Sequence, residues 1–157
     1  MATSTLIQKL FAADESGVGE DSTTASFRVQ KETFRASAAI TAGAAVVFST
    51  VDGGSGEVVM KVKPATDAAI GVATAAAAQD AFVDVVISGI CEAKVEGKNA
   101  GGNTAIASGD YLCVGAVSGV FYKYTPGTDP VPHAIAVDAV ASGAAAALKT
   151  VVVLKQF

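Results

Sequence analysis

The chain writes nearly the same stretch twice: Ile70 to Gly89 reads IGVATAAAAQDAFVDVVISG, and Ile135 to Leu154 reads IAVDAVASGAAAALKTVVVL. Ile40 and Gly43 match Ile106 and Gly109 at one offset (109 − 43 = 66), and VVF at 46–48 falls on LCV at 112–114. The same offset carries Ala75, Ala78 and Ala81 onto Ala141, Ala144 and Ala147, and Val85-Val86 onto Val151-Val152. Between these blocks GEVVMK faces GVFYK at a smaller offset, so the second copy has the shorter turn there, a difference that hairpin loops tolerate. A tandem duplication restricts the fold sharply. Two like units bury against each other faces that neither buries alone.

Each copy is written in β periodicity. After residue 34 come short runs such as AAVVFSTV, GEVVMKVKP, AFVDVVISG, DYLCVGAV, GVFYKYTP and KTVVVLKQF, most of them flanked by glycine or a turn. Phe121 alternates with Tyr122 and Tyr124 on the opposite phase, whereas Val85-Val86-Ile87 and Val151-Val152-Val153 are continuous and predict strands buried on both faces. The alanine runs at 75–78 and 144–147 are too short to hold a helix and predict one turn at most. With aromatic residues at 6% and no Trp, Ala, Val and Gly must do most of the packing. The expected fold is mainly β: a compact β-barrel or β-sandwich built from two tandem β-repeats, with an extended N-terminal arm and little helix. The expected division is an arm over 1–33 and a β domain over 34–157, with repeat one at about 36–96 and repeat two at about 103–157. The arm is largely polar; its apolar content is concentrated in Leu6, Ile7, Leu10 and Phe11, which can form one face of a short helix, and in Phe27 and Val29, and with Phe34 these are side chains that need cover.

Composition narrows the function classes. A formal charge of −4 with eleven scattered Lys and Arg does not supply the concentrated positive surface that phosphate backbones require, so no nucleic-acid partner is expected. No window approaches the ~20 consecutive apolar residues of a membrane span. The N-terminus lacks a basic segment followed by a long apolar one, which predicts synthesis in the cytoplasm without a secretory signal. Cys91, Cys113 and the single His133 do not make the paired short spacings of a zinc site; the cysteines read as two reduced, mostly buried thiols, with a disulfide between them as the minority reading, and the histidine as an isolated imidazole, with no metal and no cofactor expected.

The candidate reactive residues have plainer structural readings. Met60-Lys61-Val62 resembles the tripeptide of biotin carriers, but Lys61 falls mid-strand and reads as a solvated outer-face lysine. GKNAGGN at 97–103 lacks the order of a P-loop and reads as a polar link between the repeats. Asp80 and Asp110 read as turn aspartates bonding local backbone N–H groups. His133 has serines near it in sequence but no G-x-S-x-G elbow. No catalytic residue is assigned, and the chain is not expected to be an enzyme.

With the repeat laid out, ITAGAAVVF, AIGVATAAAAQDAFVDVVISG and IASGDYLCV together resemble the capsid cement, or head decoration, proteins of tailed bacteriophages. The shared pattern is Ile-x-Ala-Gly-x-x-Val, then Gly-Val-Ala, then a small-residue turn entering a valine strand that ends in Gly. The second copy departs from it, with Ala136 in place of the glycine. The resemblance implies a homotrimer on the outer surface of the virion, bound to the major capsid protein lattice. There it clamps adjacent capsomers through Leu6, Ile7, Leu10, Phe11, Phe27 or Phe34. Two rivals stand beside it. A glycan-binding adhesion or tail-fibre module predicts an exposed aromatic cluster of Phe121, Tyr122 and Tyr124, and an enzyme predicts a deep pocket with converging titratable groups.

Overall fold

The computed structural model describes residues 29–49, 61–115, 117–129 and 131–156. Within them the chain is all β, with no helix, as the periodicity predicts. The first half supplies β1 (Gln30–Ala36), β2 (Ala45–Phe48), β3 (Lys61–Pro64), β4 (Gly71–Ala73) and the long β5 (Phe82–Val95). A two-stranded hairpin, β6 (Lys98–Asn99) and β7 (Gly102–Asn103), follows. The second half supplies β8 (Tyr111–Val114), β9 (Phe121–Lys123), β10 (Ala134–Ala136) and β11 (Ala147–Val153).

The strand order runs β1-β3-β2-β4-β5-β11-β10-β8-β9, and two further pairings, β1 with β5 and β5 with β9, close it twice. The result is a pair of five-stranded barrels that share β5. Closure of each ring removes the open edges that a free sheet exposes. The first half of β5, Phe82–Ser88, pairs with β1, and the second, Gly89–Val95, pairs with β11. Gly89, at φ 103°, marks the change of partner in a backbone region that L side chains rarely adopt.

The duplication is visible bond for bond. Ile40 and Ala77 exchange backbone hydrogen bonds of 2.8 and 2.9 Å, as Ile106 and Val140 do at 2.9 Å each. The β1–β3 pairing is parallel, and so is its counterpart between β5 and β9. The hairpin registers match as well: Phe48 opposite Val62 corresponds to Val114 opposite Phe121.

Two alignments from sequence need correction. Ala77 corresponds to Val140 and the positive-φ Asp80 to Gly143, so the offset through the alanine run is 63 (140 − 77), not 66. The three additional residues of the second copy fall just before β11. Likewise Ile70 corresponds to His133, since their amides donate to the equivalent carbonyls of Val46 and Leu112; Gly71 therefore corresponds to Ala134 rather than Ala136.

Each barrel holds a core of small residues. Ile40, Val46, Val62, Val83, Val85 and Ile87 pack in the first, with Phe34 and Phe48 against them. Ile106, Leu112, Val114, Phe121, Val151 and Val153 pack in the second, and that core extends onto the outside of the first barrel through Ala45, Ala65, Ala69, Val72 and Val86. Burial of both faces therefore holds for Val85, Val86 and Ile87, all at most 1% exposed. It fails for Val152, which is only half-buried between buried Val151 and Val153. β1 also crosses the boundary drawn at residue 33, because Gln30 to Thr33 already pair with β5.

Candidate interaction surface

The side chains with chemical potential are engaged structurally. The Asp110 carboxylate accepts the Ala107 amide at 2.7 Å and the Lys123 ammonium at 2.7 Å, the local turn bond expected of it plus an ion pair. Burial alone would raise its pKa, but the hydrogen bonds from Lys123 and Ala107 outweigh that and hold it below the ordinary carboxylate range. Asp80 departs from expectation. Its carboxylate pairs with Lys61 at 3.2 Å and Arg35 at 3.5 Å rather than with local backbone. Lys61, on β3, is correspondingly mostly covered, not solvated.

GKNAGGN forms the β6–β7 hairpin, with Lys98 on Glu96 at 3.2 Å. Both cysteines are free thiols, and burial is the main force pushing each up to about 12. No group of three or more metal-ligating side chains occurs among the described residues. A recess of about 200 Å³ beside the hairpin holds Glu96 and Tyr122, but Glu96 is paired with Lys98 and the Tyr122 hydroxyl donates to Asp129 at 2.6 Å.

His133 is 4% exposed, and neither ring nitrogen meets a partner at hydrogen-bonding geometry. Burial holds its pKa below the ordinary imidazole value, opposed by the backbone of Asp67 and the amide of Gln156 nearby.

What remains is surface. Of the residues expected to contact a partner, Leu6, Ile7, Leu10, Phe11 and Phe27 lie outside the described residues. Phe34 is half-buried on β1, edge-on to Phe48 with ring centroids 5.5 Å apart. The aromatic cluster of the glycan reading does not assemble, because Phe121 is fully buried in the second core.

An apolar row crosses the outside of the second barrel. The Tyr124 amide donates to the Tyr111 carbonyl at 2.8 Å; Tyr111 pairs with Ile135, Ile135 with Val152, and Val152 with Ile90. Their strand neighbours Leu112, Ala134, Ala136, Val151 and Val153 point inward, so alternation sends this row outward. Tyr111 is 52% exposed and the others half-buried. Sequence reasoning missed this row because Val152 sat inside a continuous valine run and nothing in the strand run DYLCVGAV says that the face Tyr111 takes is left uncovered.

No protein-family model and no curated protein sequence matches the chain. Among solved structures the fold is similar to the N base of the head fibre gp8.5 of bacteriophage phi29, with a TM-score of 0.55 and 17% identity. The match covers 81% of this chain and 95% of that one. This is a likeness of fold.

Proposed function

We propose that the chain is a non-enzymatic structural protein of a phage virion, seated on the outer surface of the head. One observation carries the reading: nearly the whole of the phi29 head-fibre base is covered by this double barrel. The cement-protein resemblance of the sequence points to the same place independently. The ion-paired Asp80, Asp110 and Lys61 support a body selected for rigidity.

In the finer form of the proposal, a homotrimer binds the major capsid protein lattice and clamps adjacent capsomers. Leu6, Ile7, Leu10, Phe11 and Phe27 of the N-terminal segment provide apolar anchors, each worth about 1.5–3 kcal/mol if fully covered, less the cost of ordering the segment. Repetition over many lattice sites makes modest single contacts collectively strong.

Co-sedimentation tests it. Purified full-length chain is mixed with expanded, undecorated shells of the cognate capsid protein and pelleted. Saturable binding is expected, with marked weakening when residues 1–28 are removed. Full-length protein that stays in the supernatant at every concentration contradicts the proposal; undiminished binding of the shortened chain overturns only the role of the N-terminal anchors.

A further inference from the structure

The two barrels are built alike but are not covered alike. Through the matched pairings, Gly43, Ala45, Ala65, Val72 and Val86 of the first barrel correspond to Gly109, Tyr111, Tyr124, Ile135 and Val152 of the second. The first set is sealed by the second barrel of the same chain. The Ala45 amide donates to the Gly119 carbonyl at 2.9 Å, the Gly119 amide to Ala65 at 2.7 Å, and the Lys94 amide to Gly43 at 2.8 Å. Ala45, Ala65, Val72 and Val86 are at most 1% exposed. A methyl group built on Gly43 would strike Leu148, whereas one on Gly109 meets nothing within 4 Å.

The second set has no such cover within the described residues, yet it has not turned polar. Alanines at two positions of the first row are tyrosines in the second, and Val72 becomes Ile135. At the end of the row Ile90 stands where the first barrel has exposed Lys31, each paired with the corresponding valine. Enlarged, apolar and tyrosine-bearing side chains at the position where the sister barrel is docked are the composition of a protein interface.

We propose that the Tyr124–Tyr111–Ile135–Val152–Ile90 row is the seat for the first barrel of a second copy of the chain. It repeats between copies the barrel-on-barrel contact made once within each chain. The two surfaces joined are different, so the contact is head-to-tail and either closes into a ring or extends. This deepens the association in the proposed function and rests on that reading only for the ring of three.

The test uses the full-length chain with a photo-crosslinking amino acid at position 111, mixed as isotope-light and isotope-heavy copies, and reads the crosslinked peptides by mass spectrometry. Light-to-heavy links from position 111 to first-barrel peptides are expected. Links to residues 1–28, links that form only when capsid shells are added, or no links at all would overturn the proposal. In parallel, sedimentation velocity compares the unmodified chain with Tyr111→Glu/Ile135→Lys, and circular dichroism checks that the variant folds. Association is expected to weaken by ~30-fold or more, the loss typical of a hot spot. A folded variant that associates unchanged also refutes the seat. Self-association through another surface defeats this inference and leaves the proposed function standing, while association through the row without shell binding does the reverse.

Discussion

Replacing His133 by isoleucine, the residue at the equivalent position 70, should stabilise the protein and remove part of its sensitivity to acid. The imidazole is 4% exposed with both nitrogens unpartnered, whereas Ile70 occupies the same backbone position as a plain apolar side chain. An unsatisfied buried polar group costs about 1–3 kcal/mol, and a β-branched residue suits the site just ahead of β10. For a domain of this size each kcal/mol moves the midpoint by ~2–4 °C, so His133→Ile should melt a few degrees higher at pH 7.5.

The pH dependence follows from the direction of the shift. Burial lowers the His133 pKa, so between the unfolded value near 6.5 and the lower folded value the unfolded chain binds the extra proton. Stability conferred by this group is complete above ~6.5 and is lost as pH falls toward the folded pKa, with a slope of at most about 1.4 kcal/mol per pH unit. Thermal melts by circular dichroism from pH 8 to 5 should show the wild type weakening below pH 6.5 and the variant weakening less. A variant that melts lower at pH 7.5, or parallel profiles for the two proteins, would refute the reasoning.

Alanine at the two matched turn glycines should separate backbone strain from packing. Gly109→Ala, at φ 90° with open space around it, should cost about 1–2 kcal/mol; Gly43→Ala, at φ 72° with Leu148 in the way, should cost about 1–3 kcal/mol more by urea denaturation. Equal costs would mean that the barrels do not pack at Gly43. Asp110→Asn should flatten the acid limb: its lowered pKa makes its contribution complete above the unfolded carboxylate value near 3.9 and lost as pH falls through the folded one. Because the Lys123 pair is partly exposed, the loss at pH 7 should stay within about 1 kcal/mol in the same melts.

The duplication and the β class were legible because glycine turns and valine strands carry position. The Ile40–Gly43 match and the Val85-Val86 match survive at their stated offset, since both rest on residues whose size or φ is constrained. The alanine run between them was misaligned because identical small residues carry no register, and three extra residues can hide in AAAA at 144–147. The first four residues of β1, QKET, were read as arm because they are polar; their pairing comes from β5, a partner some fifty residues away that no local pattern announces. β5 was split at Gly89 for the opposite reason, a glycine mistaken for an end where the strand changes partners. Exposure of the outer row was not legible at all, because it depends on which barrel covers which.

The placement on a phage head is tested most directly by cryo-electron microscopy of cognate virions purified with and without this chain. The account requires a density on the outer head surface, present only when the chain is present, into which the two barrels joined by Phe82–Val95 fit as one body. Heads identical in the two preparations, or the difference density confined to the tail, would contradict it.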